Sequence, residues 1–81
     1  AFIILWDSLT VNQSKSLRLL AETGGENMYY AHVLQKFELK SGSLLKRALT
    51  SLLSREVITK NKTYHIQDTM FRKWIQHLSS G

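Results

Sequence analysis

The feature that most constrains this chain is a switch of hydrophobic period just after residue 54. From Ser43 to Ser54 the apolar residues Leu44, Leu45, Ala48, Leu49, Leu52 and Leu53 recur at helical spacing. Ser43, Lys46, Arg47, Thr50, Ser51 and Ser54 occupy the other side. Past Arg55-Glu56 the pattern alternates instead, Ile58 with Lys60 and then Tyr64 with Ile66, around Asn61-Lys62. Alternation among β-branched and aromatic residues about a turn reads as a hairpin. A wide amphipathic helix running straight into a hairpin leaves few architectures open to 81 residues, a length that supports one modest core.

The remaining elements follow from local chemistry. With no proline, the chain is divided by Gly24-Gly25, the Lys40–Ser43 stretch and Asn61-Lys62. Phe2 to Ser8 is apolar and short, either a brief helix or the end of one arriving from upstream. Thr10-Val11-Asn12-Gln13 forms a capping box, in which the Thr hydroxyl accepts from the Gln backbone N–H and the Gln side chain reaches back. Val11, Leu17, Leu20 and Ala21 then predict a helix from about Val11 to Thr23, ended by Gly24 in the left-handed conformation. Met28-Tyr29 reads as a very short strand. Ala31, Leu34 and Phe37, with Val33 beside them, predict a brief second helix; Glu38-Leu39-Lys40 forms the turn after it, and Ser41 or Ser43 caps the third. Asp68 caps a last helix whose inner face is Met70, Phe71, Trp74, Ile75 and Leu78. The expected class is mainly α with a small β-hairpin, in a winged helix-turn-helix order. It is one domain over 1–81, with a lead-in helix over 1–9 and a core over 10–80.

Composition narrows the functions. Hydrophobic residues make up 43%, enough for a core without staples, and the absence of cysteine excludes disulfides and thiolate metal sites. That absence fits a reducing cytoplasm, the expected location. No apolar run approaches the ~18 residues of a membrane span. Ala1–Trp6 is too short for a signal core and runs into Asp7. The chain opens mid-pattern without Met, as expected of a domain boundary with more protein upstream. Eleven Lys and Arg against six Asp and Glu give a net charge of +5, which favours polyanionic partners.

In a DNA-binding domain of this order the third helix enters the major groove with its polar side outward. That side offers Ser43, Lys46, Arg47 and Thr50. Arg47 could pair bidentately with a guanine edge and Lys46 could meet a phosphate. Ser41 and Ser43 lie where backbone N–H groups suit a phosphate. Lys60 and Lys62 at the hairpin tip, with Lys40 before the third helix, suit non-specific attraction to a phosphate backbone. A solvated helix face and tip charges that blunt a strand edge explain the same residues. Most of the aromatic residues fall at core positions, Tyr30 being the exposed exception. His32, His65 and His77 are spaced too widely for a ligand pair on one helix face, so no metal or other cofactor is expected. No Gly-rich phosphate loop, nucleophile elbow or carboxylate pair gives catalysis a foothold.

Leu9-Thr10-x-Asn12-Gln13, the segment from Tyr29 to Leu53, and Tyr64-x-Ile66-x-Asp68-x-x-Phe71-Arg72-x-Trp74-Ile75 resemble the C-terminal winged-helix domain of prokaryotic AAA-type, archaeal and STAND-related P-loop ATPases. The resemblance runs from about Leu5 to Leu78. Thr69 stands where that family usually has proline, which removes a favourable helix start but keeps the Asp68 cap. The resemblance implies a parent that binds ATP and Mg outside this chain, so the domain itself carries no cofactor and is not an enzyme. It also implies two roles for the module. One is DNA binding. The other is docking on the parent ATPase core or another protein, with Phe2-Ile3-Ile4-Leu5-Trp6 offering a partner or homodimer surface. For DNA, Lys46, Arg47, Lys60 and Lys62 should form one positive surface with the start of the third helix. For docking, acidic or apolar groups should break it. Glu38 and Glu56, near the two ends of the third helix, weigh against DNA.

Overall fold

The computed structural model describes residues 2–80. The elements run α1 (Phe2–Asp7), α2 (Val11–Thr23), α3 (Ala31–Lys36), α4 (Gly42–Ser54), β1 (Ile58–Lys60), β2 (Tyr64–Ile66) and α5 (Thr69–Ser80). The two strands form an antiparallel pair in which Ile58 faces Ile66 and Lys60 faces Tyr64. The mainly helical class with one small hairpin is as the period switch predicts.

Helix α2 lies at the centre, packed against α4, α5 and β2. Its start is the predicted capping box, with Thr10 Oγ1 accepting from Gln13 N and Thr10 N donating to Gln13 Oε1. Its end is Gly24 at φ 69°, whose N–H donates to Leu20 O. Because neighbours enclose α2 on several sides, burial reaches Gln13, Ser16 and Leu19 as well as Leu17, Leu20 and Ala21. Leu45, Leu49 and Leu52 of α4, Phe71 and Ile75 of α5, and Ile58, Tyr64 and Ile66 of the hairpin complete the core.

Helices α3 and α4 end in the same way. Glu38 N donates to Gln35 O and Leu39 N to Leu34 O; Glu56 N donates to Leu53 O and Val57 N to Leu52 O. Both are Schellman closures with glutamate at the left-handed position, Glu38 at φ 60° and Glu56 at φ 61°. Each closure brings an apolar residue, Leu39 or Val57, into the core.

Three expectations need correction. Met28 and Tyr29 form a turn and no strand, because Asn27 at φ 57° bends the chain there; the Met28 side chain is nevertheless buried. Val11, Met70 and Leu78 are exposed, at 67%, 64% and 42%. Val11 lies opposite Leu20 on a helix turning ~100° per residue, Met70 flanks the buried face of α5, and Leu78 lies a turn beyond Ile75. Ala31 is exposed too, leaving Leu34 as the buried residue of α3.

Helix α1 folds back onto α5 of its own domain. Phe2 meets Phe71 at 5.2 Å and Trp74 at 6.0 Å between ring centroids, and Trp6 meets Trp74 edge-on at 5.8 Å. Arg55 Nη2 donates to Ser8 Oγ at 2.7 Å, tying the end of α1 to the end of α4.

Candidate nucleic-acid interface

The third helix expected from the sequence is α4. Its apolar stripe, inserted against α2, turns Ser43, Lys46, Arg47, Thr50 and Ser54 to solvent. No acidic residue occurs between Gly42 and Ser54. Ser41 is the N-cap, its Oγ accepting from Leu44 N at 3.3 Å, so that hydroxyl serves the helix. Ser43 is exposed one residue into the helix. Thr50 Oγ1 donates to Lys46 O at 2.9 Å, which holds the hydroxyl against the backbone. Lys46 and Arg47 are the cationic part of the face. Arg47 also borders a shallow groove between α4 and the start of α2, shared with Asn12 and Ser51.

That groove is pinned from below by Gln13, whose Nε2 donates to Ser51 Oγ at 2.7 Å. The bond fixes the start of α2 relative to the middle of α4, so the cationic face is presented by a rigid pair of helices. Lys60 and Lys62 stand exposed on the hairpin, where β1 packs against α4. Lys60 Nζ lies 5.0 Å from the centroid of the Tyr64 ring, a cation–π contact that orients it. Four of the seven predicted residues therefore share one helix face, Ser41 is drawn into the cap, and two belong to the hairpin.

Sequence reasoning passed over Tyr29 and His32. Tyr29 is 46% exposed and its ring edge rests on Gly42, the first residue of α4. Desolvation and the neighbouring Tyr64 phenol hold its hydroxyl above the ordinary tyrosine range. The Tyr-Tyr pair at 29–30, two large aromatics with polar tips side by side just before a helix, was the available signal.

Away from α4, two lysines bond to neighbouring elements. Lys36 Nζ reaches Glu22 Oε1 at 2.8 Å, and Lys15 Nζ donates to Glu38 O at 3.2 Å. The exposed Lys36–Glu22 pair ties α2 to α3. Among the described residues no three His, Cys, Asp or Glu side chains gather into a metal-binding group, and no helix is long and apolar enough to cross a membrane.

A family model described as "Probable winged helix domain" matches residues 1–77. No curated protein and no solved structure matches the chain.

Proposed function

This chain belongs to the winged-helix domain family that matches residues 1–77, and from that membership we propose that it is a DNA-binding module acting through α4 and the hairpin. The observation that carries this reading is the outward face of α4, where Lys46 and Arg47 stand among hydroxyl side chains with no acidic residue on the helix. The +5 charge of the chain supports it by attracting a phosphate backbone before any base is read. In this reading Lys46 and the hairpin residues Lys60 and Lys62 meet phosphates, Arg47 approaches a base edge, and Ser43 and Thr50 fill the groove. The module is not itself an enzyme. Its parent is an ATPase of the prokaryotic AAA or STAND kind, which holds ATP and Mg elsewhere and works in the cytoplasm.

The test is binding to a random labelled duplex, titrated across salt concentration. The expected affinity falls linearly against log salt, and Lys46→Ala with Arg47→Ala makes that slope shallower by about one for each phosphate that is no longer neutralised. An absence of salt-sensitive binding at low ionic strength removes the reading.

One observation favours a second reading, docking on the parent ATPase core. Ile3 and Ile4 on α1 are 62% and 75% exposed although their neighbours Phe2 and Trp6 pack inward. If the upstream region is the partner, adding it in trans binds the domain and Ile3→Ser with Ile4→Ser abolishes the complex.

A further inference from the structure

The strongest feature outside the α4 face is an aromatic patch at the N-terminal ends of α3 and α4. Tyr29 and Tyr30 are 46% and 55% exposed, and His32 is exposed beside them with its ring centroid 5.8 Å from that of Tyr30. The Tyr29 ring edge rests on Gly42 at the start of α4, with its Cδ1 3.1 Å from where a Cβ on Gly42 would stand. Tyr64, whose phenol acts electrostatically on that of Tyr29, is itself buried, so the exposed patch consists of Tyr29, Tyr30 and His32.

Tyr30 is the N-cap of α3, and its side chain makes no capping hydrogen bond. Ser, Thr, Asp and Asn fill that position far better, since each satisfies an otherwise unpaired backbone N–H. A large exposed aromatic there opposes local stability, and such local conflicts concentrate at functional positions. Lys40, Lys46 and Lys60 are exposed on the segments that flank the patch, which lies between the exposed Glu26 and Glu38 and has no acidic residue among its own. Exposed rings with π-faces beside cations are the equipment of proteins that stack unpaired bases while holding the phosphates between them.

We propose that Tyr29, Tyr30 and His32 form a stacking platform for unpaired bases, so that the domain prefers a duplex carrying a single-stranded tail to a fully paired one. This rests on the DNA-binding reading of α4 and extends it: the duplex lies on α4 and the hairpin, and the tail passes over the tyrosines.

The experiment compares three labelled DNAs with the same duplex: blunt, with a pyrimidine tail, and with an abasic tail of equal length. The normal tail is expected to tighten binding about tenfold over the blunt duplex, the size of one or two base–aromatic stacks. The abasic tail, which keeps the phosphates and lacks the bases, should bind like the blunt duplex. Tyr30→Ser restores a conventional N-cap and so preserves the fold, yet should remove most of the tail preference without changing blunt-duplex affinity. Tyr30→Trp should keep it. Equal gain from the normal and abasic tails, or a preference that survives Tyr30→Ser, overturns the platform. Those outcomes leave the salt-dependent blunt-duplex binding intact, whereas loss of blunt-duplex binding itself removes the α4 reading on which the platform rests.

Discussion

Ser16 is fully buried in α2, and its hydroxyl has no hydrogen-bond partner among the described residues. An unsatisfied buried polar group costs more than a missing one, and alanine is the better helix former. Ser16→Ala is therefore expected to stabilise the domain by about 1 kcal/mol. The check is urea unfolding, with the midpoint raised and the slope unchanged. Tyr29 makes a different prediction, one of pH. Its pKa is raised in the fold by desolvation first and by Tyr64 second, so the fold favours the neutral phenol. The stabilisation is complete below the unfolded tyrosine pKa of about 10 and is lost as pH rises through the higher folded value. Tyr29→Phe should lose less stability than the parent chain as pH rises above about 10. Equal losses in the two proteins would remove the assignment. Gln13 shows how little of this scale is legible beforehand. Its role in the capping box could be read from Thr-x-x-Gln, but its bond to Ser51, 38 positions away, could not.

At the scale of the elements, the paired Schellman closures hold the third helix in place. A non-glycine residue in the left-handed region costs about 1–2 kcal/mol. Glu38→Gly and Glu56→Gly are thus each expected to raise stability by about 1 kcal/mol, after glycine's larger entropy loss is subtracted. A fall in melting temperature for both would mean that the glutamate side chains contribute something their exposure hides. Gly25 behaves in the opposite sense. At φ 91° it passes so close to the hairpin that a Cβ would lie 2.7 Å from Tyr64 O and 3.2 Å from Thr63 Cβ. Gly25→Ala should cost about 2 kcal/mol and loosen the hairpin, seen as faster amide exchange at Tyr64 and Ile66. The helices, the hairpin and two of their caps, Thr10 and Asp68, were legible because period and capping chemistry are local. The Met28-Tyr29 strand was misread for the same reason: two residues carry no period, and the turn at Asn27 decides their fate.

For the whole molecule, the question is whether α1 belongs to the domain or merely leads into it. Its rings join Phe71 and Trp74 in one aromatic cluster, so its removal should be felt throughout the core. Phe2→Ala is expected to cost about 2 kcal/mol, less than a fully enclosed phenylalanine because Phe2 is half-buried. Unfolding should remain a single transition by tryptophan fluorescence and circular dichroism. A variant as stable as the parent would show that α1 is peripheral. Of the candidate interface, the α4 face was readable in the sequence, since a strong apolar stripe fixes its own opposite side.

The sequence by itself determined the order of the helices and the hairpin, the solvent face of α4, the Thr10 and Asp68 caps and the left-handed Gly24. Each depends on residues within about one helical turn or across one tight turn, where spacing alone sets who can meet. Only the tertiary structure decided that α2 is enclosed on several sides, burying Ser16 and Leu19 beyond its obvious stripe. The same holds for α1 closing onto α5, and for Tyr29 coming to rest on Gly42 beside Tyr64. Those contacts join positions far apart in the chain, and which of them form is settled by how all the apolar faces are buried together in one small core.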